Sequence, residues 1–150
     1  MGELVLRPAT VDDLPAVVAM LADDVLGAAR ESPDDLAPYR TAFAALDPDP
    51  NQHLVVATRD DAVIGTLQLT IIPGLSRRGT VRAQIEGVRV HADERGTGLG
   101  TELFRWAVSE ARRCGAHLVQ LTSDAQRPDA HRFYEKLGFS PTHVGFKLEL

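Results

Sequence analysis

The residues best suited to chemistry in this sequence form one short run, Arg95-Gly96-Thr97-Gly98-Leu99-Gly100-Thr101, with glycine at three alternate positions ahead of an apolar-periodic stretch. A helix that starts there offers N–H groups without partners and the positive end of its dipole. Glycines admit positive φ and let a charged oxygen come close to the main chain. The chemistry these features suit is anion binding, with a phosphate or pyrophosphate as the anion. A Walker-type loop would end in Gly-Lys-Ser/Thr, and Gly100-Thr101-Glu102 does not. A dinucleotide fingerprint would read Gly-x-Gly-x-x-Gly, which the spacing Gly96, Gly98, Gly100 does not match. Taken by itself, the run also fits a ligand-free turn from strand to helix.

The remaining reactive side chains are scattered. His53, His91, His117, His131 and His143 have no recognisable metal-ligand spacing, and no metal site is expected. Cys114 ends an apolar helical stripe and reads as a core residue rather than a nucleophile. Arg77 and Arg78 fall in a loop between strands, where a solvated role is expected over contact with an anionic substrate.

The elements that must position the glycine run follow from periodicity. Glu3 to Arg7 alternates as a first strand, ended by Pro8. Thr10 is the expected N-cap of a helix with Asp12 and Asp13 in its first turn and a stripe of Leu14, Val17, Val18, Leu21 and Val25. A second helix is expected from Ser32-Pro33-Asp34-Asp35, with Leu36, Tyr39, Phe43 and Leu46 facing inward. His53 to Thr58 and Ala62 to Ile72 read as a hairpin around Arg59-Asp60-Asp61. In the next strand, Val81 to Val90, the apolar parity changes: Val81, Ala83 and Ile85 hold one parity, Val88 and Val90 the other. A β-bulge at Glu86-Gly87, splaying the strand from its neighbour, explains the change; a strand buried on both faces is the alternative. Leu99 to Cys114 reads as a helix stopped by Gly115, His117 to Thr122 as a strand, Pro128 to Leu137 as a helix stopped by Gly138, and Phe139 to Leu150 as strand-like segments. The expectation is one α/β domain, residues 1–150.

Arg95, Gly98 and Gly100 at a strand-to-helix junction, followed further on by Ala130-His131-Arg132-Phe133-Tyr134-Glu135-Lys136-Leu137-Gly138-Phe139, resemble the two motifs of the GNAT superfamily of N-acetyltransferases. The motifs occur in the family's order, and the element order matches over nearly the whole chain. The resemblance implies the GNAT fold: a central, mostly antiparallel sheet with a splayed strand, flanked by helices. It implies acetyl-CoA as cosubstrate, its pyrophosphate held by Arg95, Gly96, Thr97, Gly98, Leu99, Gly100 and Thr101, and its pantetheine arm paired with the backbone of Val88, Arg89 and Val90. Arg127 stands where the family often has an asparagine that touches the cofactor, so an arginine-to-phosphate contact and a solvated arginine are the two readings there. Ser123 through Leu150 resembles the tail of aminoalkylphosphonate N-acetyltransferases, and Ile85-Glu86-Gly87-Val88 resembles glucosamine-6-phosphate N-acetyltransferases.

Acetyl transfer needs a neutral amine, donors for the thioester oxygen as charge develops, and a proton for the leaving thiolate. By resemblance, Tyr134 is the expected acid and the N–H near Val88 polarises the carbonyl. Glu86, on the splayed strand, is the expected base or the anchor of the substrate ammonium. The expected reaction is transfer from acetyl-CoA to a primary amine of a small molecule by direct attack. The alternatives are acetylation of a protein N-terminus or lysine, and a non-catalytic acyl-CoA sensor.

The bulk properties agree. The chain has 150 residues, 44% hydrophobic and 25% charged, which suits a packed domain. A net charge of −5 argues against nucleic acid as the main partner. One cysteine excludes an intrachain disulfide, and no apolar run is long enough to span a membrane. A cytoplasmic enzyme is the expectation, with a homodimer as the family prior.

Overall fold

The computed structural model describes residues 2–150. In chain order the elements are β1 (Leu4–Pro8), a 3-10 turn (Val11–Asp13), α1 (Leu14–Ala22), α2 (Val25–Arg30), α3 (Ala37–Leu46), β2 (Gln52–Arg59), β3 (Ala62–Ile72), a single turn α4 (Ser76–Gly79), β4 (Arg82–Val90), a 3-10 turn (Ala92–Glu94), α5 (Leu99–Arg113), β5 (Leu118–Gln120) and α6 (Pro128–Lys136). The five strands lie in the order β1-β2-β3-β4-β5. The first four pair antiparallel and β5 joins β4 in parallel. This is the mixed α/β sheet expected from the sequence.

Helices cover both faces. Val56 and Ala57 are neighbours on β2, so their side chains point to opposite faces, and they belong to two separate buried clusters. On the Ala57 side, α5 buries Leu99, Leu103, Phe104, Ala107 and Ala111 against β3 and β4. Burying each large side chain there stabilises the fold by roughly 1.5–3 kcal/mol. On the Val56 side, Val17 of α1 and Phe43 of α3 complete the second cluster. Leu36, Tyr39, Phe43 and Leu46 are the partly buried residues of their segment, as their spacing predicts.

Several expectations are corrected. The helix of the third segment starts at Ala37, not at Pro33. Ser32 is spent on a turn instead: its Oγ donates to the Asp35 carbonyl, Asp35 N–H donates to its carbonyl, and its N–H donates to the Tyr39 hydroxyl. Val25 leaves the α1 stripe because Asp24 caps a new helix, accepting from Gly27 N–H, and Val25 is 90% exposed. The Arg77–Arg78 loop is a left-handed turn, with φ of 54° and 63°. Beyond Phe139 the chain forms no strand.

One ion pair joins the first strand to the first helix. Arg7 donates twice to the Asp13 carboxylate, at 2.7 and 2.9 Å, and Thr10 N–H donates to it at 2.7 Å. The Arg7 hydrogen bond holds the Asp13 carboxyl below its ordinary range against the opposing effect of burial. A depressed folded pKa means stability that is present above the unfolded value, about 3.9, and lost as pH falls through the folded one. Asp13→Asn should therefore cost about 1.5–3 kcal/mol at pH 7. The gap from the parent protein, read from urea unfolding, should close in acid; a gap independent of pH would show that the charge contributes nothing.

Candidate active site

Strand β4 has two neighbours over only part of its length. Arg82, Ala83 and Gln84 pair with Leu118, Val119 and Gln120 of β5, and β5 ends there. On the β3 side the register passes from Gln68↔Glu86 to Thr66↔Arg89, so two residues of β4 face one of β3. This is a β-bulge at Gly87–Val88, one residue beyond the parity change in the sequence. Gly87 holds φ +63°, which a glycine takes without strain.

Past the bulge, His91 N–H bonds the Ile64 carbonyl of β3. Alternation of the ladder then turns the main-chain groups of Val88 and Val90 toward the edge that β5 leaves unpaired. In keeping with this, the Val88 carbonyl accepts from the Arg89 guanidinium at 2.9 Å. The Val88 and Val90 side chains pack on the α5 cluster, and Glu86 is exposed.

The glycine run follows directly. Gly96 and Gly98 hold φ of 80° and 87°, and a Cβ at either would meet nothing within 4 Å. Gly98 is the N-cap of α5, and its carbonyl accepts from Glu102 N–H. The Thr97 N–H is bonded to Glu94, whereas those of Gly96, Gly98, Leu99, Gly100 and Thr101 meet no acceptor among the described residues. They border a cavity of about 270 Å³ lined by Val90, Arg95, Leu99, Thr101 and Phe133, among others. Free amides, the dipole of a 15-residue helix and an arginine at one concave corner make an anion cradle. The Arg95 guanidinium is exposed, 3.3 Å from Asp23.

A half-buried ion pair holds this corner to the sheet. Arg59, at the end of β2, donates from Nη1 to both Glu94 oxygens at 3.2 and 3.0 Å. Thr97 Oγ1 closes the turn on the Glu94 carbonyl at 2.6 Å. Neither Arg59 nor Glu94 stood out in the sequence, because partners 35 residues apart leave no local signature.

Tyr134 projects from α6 into an aromatic cluster, its ring 5.7 Å from Phe104, 5.8 Å from Phe133 and 6.3 Å from Phe139, all edge-on. Phe133 reaches the cradle: a Cβ on Gly100 would come within 3.7 Å of it. The Tyr134 hydroxyl has no hydrogen-bond partner among the described residues. Arg127 is exposed at the start of α6. The Gly27 N–H, with Arg89 and Arg127 adding to it, holds the Asp24 carboxyl below its ordinary range. Arg89 Nε lies 3.2 Å from Asp24, and Arg30 pairs with Asp124 at 3.5 Å. The Arg89 side chain is thus turned to Asp24, which leaves only its backbone for a ligand.

The histidines serve separate local contacts. His117 Nδ1 accepts from Val81 N–H, His91 Nδ1 from Asp93 N–H, and His131 Nε2 lies 3.0 Å from the Asp124 carbonyl. His143 contacts Thr142. His53, Glu110 and Cys114 come together with their polar atoms within 4.8 Å of one another, a grouping the sequence did not suggest. Arg113 already occupies the Glu110 carboxylate, and burial pushes the Cys114 thiol up, so the cluster reads as an ion-paired patch. It borders a larger cavity, about 370 Å³, between β2, α3 and the end of α5. Its lining includes no residue from the start of a helix, whereas the free amides at the start of α5 border the smaller cavity.

Comparison with known proteins agrees with this geometry. Residues 16–139 match the profile of the acetyltransferase (GNAT) family. The aminoalkylphosphonate N-acetyltransferase of Salmonella typhimurium is 33% identical over 94% of this chain and 88% of its own length. A solved structure described as a transcriptional regulator from Bacillus halodurans superposes with a TM-score of 0.93 at 46% identity, over 99% of this chain and all of that one. A putative acetyltransferase from Agrobacterium tumefaciens gives 0.85 at 28% identity, over 97% and 99%.

The Arg59–Glu94 pair yields a test of how the corner is held. Glu94→Gln should destabilise the fold by about 1–3 kcal/mol. A double-mutant cycle with Arg59→Met, read from denaturant midpoints, should return a coupling of at least about 0.5 kcal/mol. Additive effects would show the two side chains to be independent.

Proposed function

The chain belongs to the GNAT acetyltransferase family, and from that premise we propose that it carries an acetyl group from acetyl-CoA to the primary amine of a small molecule, by direct attack within a ternary complex. The observation that carries this reading is the adjacency of two stretches of main chain that no strand or helix turn pairs: the edge of β4 after its bulge, and the free amides at the start of α5. An extended arm ending in a pyrophosphate fits both at once.

In this reading Gly96, Gly98, Leu99, Gly100 and Thr101 donate to the pyrophosphate, with Thr97 shaping the turn and Arg95 adding charge once it leaves Asp23. Val88 and Val90 pair with the pantetheine amides, alongside the backbone of Arg89, and the Val88 N–H polarises the thioester carbonyl as the tetrahedral oxyanion forms. The amine nitrogen attacks that carbon, the C–S bond breaks, the Tyr134 hydroxyl protonates the departing thiolate, and the surplus proton of the new amide nitrogen returns through solvent to the phenolate. An unengaged phenol on a packed ring suits that role: the ring is fixed and the proton is free. Glu86 is exposed and has no ion pair among the described residues, which suits a carboxylate that anchors the incoming ammonium while water takes the proton. Cys114 lies toward the far end of α5, about 22 Å of helix from the cradle, and takes no part.

The acceptor is proposed to carry an anionic group. Arg30, Arg89 and Arg127 gather with Asp24 and Asp124 near the start of α6, and Arg127 is placed to exchange its long-range partner for a phosphonate or phosphate. The Salmonella relative is named for acetylating aminoalkylphosphonates, which is the same combination of amine and anion.

The test is release of free coenzyme A thiol from acetyl-CoA with a panel of amines. Aminoalkylphosphonates should turn over faster than neutral amines of equal length. Binding of acetyl-CoA with no release for any amine, peptide amines included, would leave a sensor. Tyr134→Phe should lower kcat about 100-fold while the affinity for coenzyme A stays within a factor of about two, since it removes one oxygen and keeps the ring packing. Unchanged turnover would strip the tyrosine of its role. Glu86→Gln should raise KM for the amine more than it lowers kcat; the reverse split would make it the base.

A further inference from the structure

One grouping of metal-ligating side chains lies outside the acyl-transfer site. Glu110 and Cys114 stand four residues apart at the end of α5, so their side chains share one helix face. His53, the second residue of β2, comes up beside them. Cys114 Sγ lies 3.9 Å from His53 Nε2 and 3.8 Å from Glu110 Oε1, and His53 Nδ1 lies 4.0 Å from Glu110 Oε1. One ligand atom from each residue falls within 4.8 Å of the other two, and this is the one such trio among the described residues. All three residues are half-buried. Around a tetrahedral zinc ion, bonds of about 2.0–2.3 Å set neighbouring ligand atoms about 3.5 Å apart. The Cys114 sulfur is only a few tenths of an ångström beyond that spacing from both of its neighbours.

We propose that His53, Glu110 and Cys114 bind one zinc ion through an imidazole nitrogen, a carboxylate oxygen and a thiolate, with water as the fourth ligand. Thiolate and imidazole in one site favour zinc over magnesium, calcium and manganese, which suit carboxylate, carbonyl and water. The cavity of about 370 Å³ is lined by His53 and Glu110, so it gives the ion an entry and the water its room. In the metal-free chain Arg113 neutralises the Glu110 carboxylate. The Arg113 side chain is 69% exposed, so it turns out into solvent as the ion arrives. Cys114 gives its proton to solvent and a sulfur lone pair to the ion, with no change of oxidation state. The ion then clips the start of β2 to the last turn of α5. It lies at the opposite end of α5 from the glycine corner, so it serves the fold and leaves acyl transfer unchanged.

The full chain, free of any affinity tag and stripped with a chelator, should take up one equivalent of cobalt(II), a coloured stand-in for zinc. The bound ion should show the intense visible bands of tetrahedral geometry and a thiolate-to-cobalt charge-transfer band in the near ultraviolet. Zinc should displace it. Zinc should also raise the thermal midpoint by about 5–10 °C once the free ion is about 100-fold above its dissociation constant. Cys114→Ser should abolish the charge-transfer band, and His53→Gln should weaken zinc binding by at least about 10-fold, both with the far-UV spectrum of the parent. No uptake of cobalt or zinc by the parent chain overturns the proposal, whatever the variants do. So does uptake without the charge-transfer band, a band that Cys114→Ser leaves intact, or a zinc affinity that His53→Gln leaves unchanged.

Discussion

A strand inside a sheet must satisfy main-chain groups on both edges, and β4 does so only as far as Gln84. There β5 stops pairing, and three residues later the bulge at Gly87–Val88 turns the strand. From Val88 to Val90 one edge is bonded to β3 and the other is open. Because β4 runs within a few residues into the glycine corner, the open edge and the free helix amides form one continuous length of main chain. Its shape is fixed by backbone dihedrals, with glycine at 87, 96 and 98 where φ is positive, and by the pinning of the corner to β2 through Arg59 and Glu94. The core serves the same end: α5 presents its amides at a fixed place because its apolar stripe is packed on β3 and β4 beneath them.

The sequence made most of this frame legible because the frame is local. Alternation located β2 and β3, and the paired aspartates between them take the positive φ that a tight hairpin needs. The helical stripe of α5 and the stop at Gly138 are equally local. Where the reading failed, a competing contact decided. Ser32 can cap a helix or close a turn, and the Tyr39 hydroxyl on its N–H settles it as a turn. Val25 continues the α1 stripe in projection, but Asp24 accepts from Gly27 and starts a second helix. Phe104 escaped notice because Leu103 beside it already fills the periodic position. The tail reads as a strand by period, yet period says nothing about whether its partner lies in the same chain.

The candidate site divides in the same way. Residues whose part depends on backbone conformation were visible as glycines and as a change of apolar parity, and the bulge lies one residue from where that parity placed it. Residues whose part depends on long-range pairing were not. Nothing local in the sequence joins Arg59 to Glu94, Arg89 to Asp24, or His53 to Glu110 and Cys114. The exposure of Glu86 was also beyond reach, since its strand is buried on one side of the bulge and open on the other, and that exposure favours holding an ammonium over abstracting its proton.

A consequence follows for how such a site can vary. On the proposed reading the donor is gripped by main-chain amides, which most substitutions leave in place as long as the glycine dihedrals and the α5 packing survive. On the same reading the acceptor is met by exposed side chains: Glu86 beside the bulge of β4, and on short connections Asp24 between α1 and α2 and Arg127 ahead of α6. These can be exchanged without moving a strand, and surface connections tolerate such change far better than packed elements do. On this reading the fold separates a mechanical task built into the backbone from a recognition task carried by side chains around it. On that reading Arg30 and Arg127, near Asp124 and Asp24, rather than the glycine corner, are where the identity of the amine would be written.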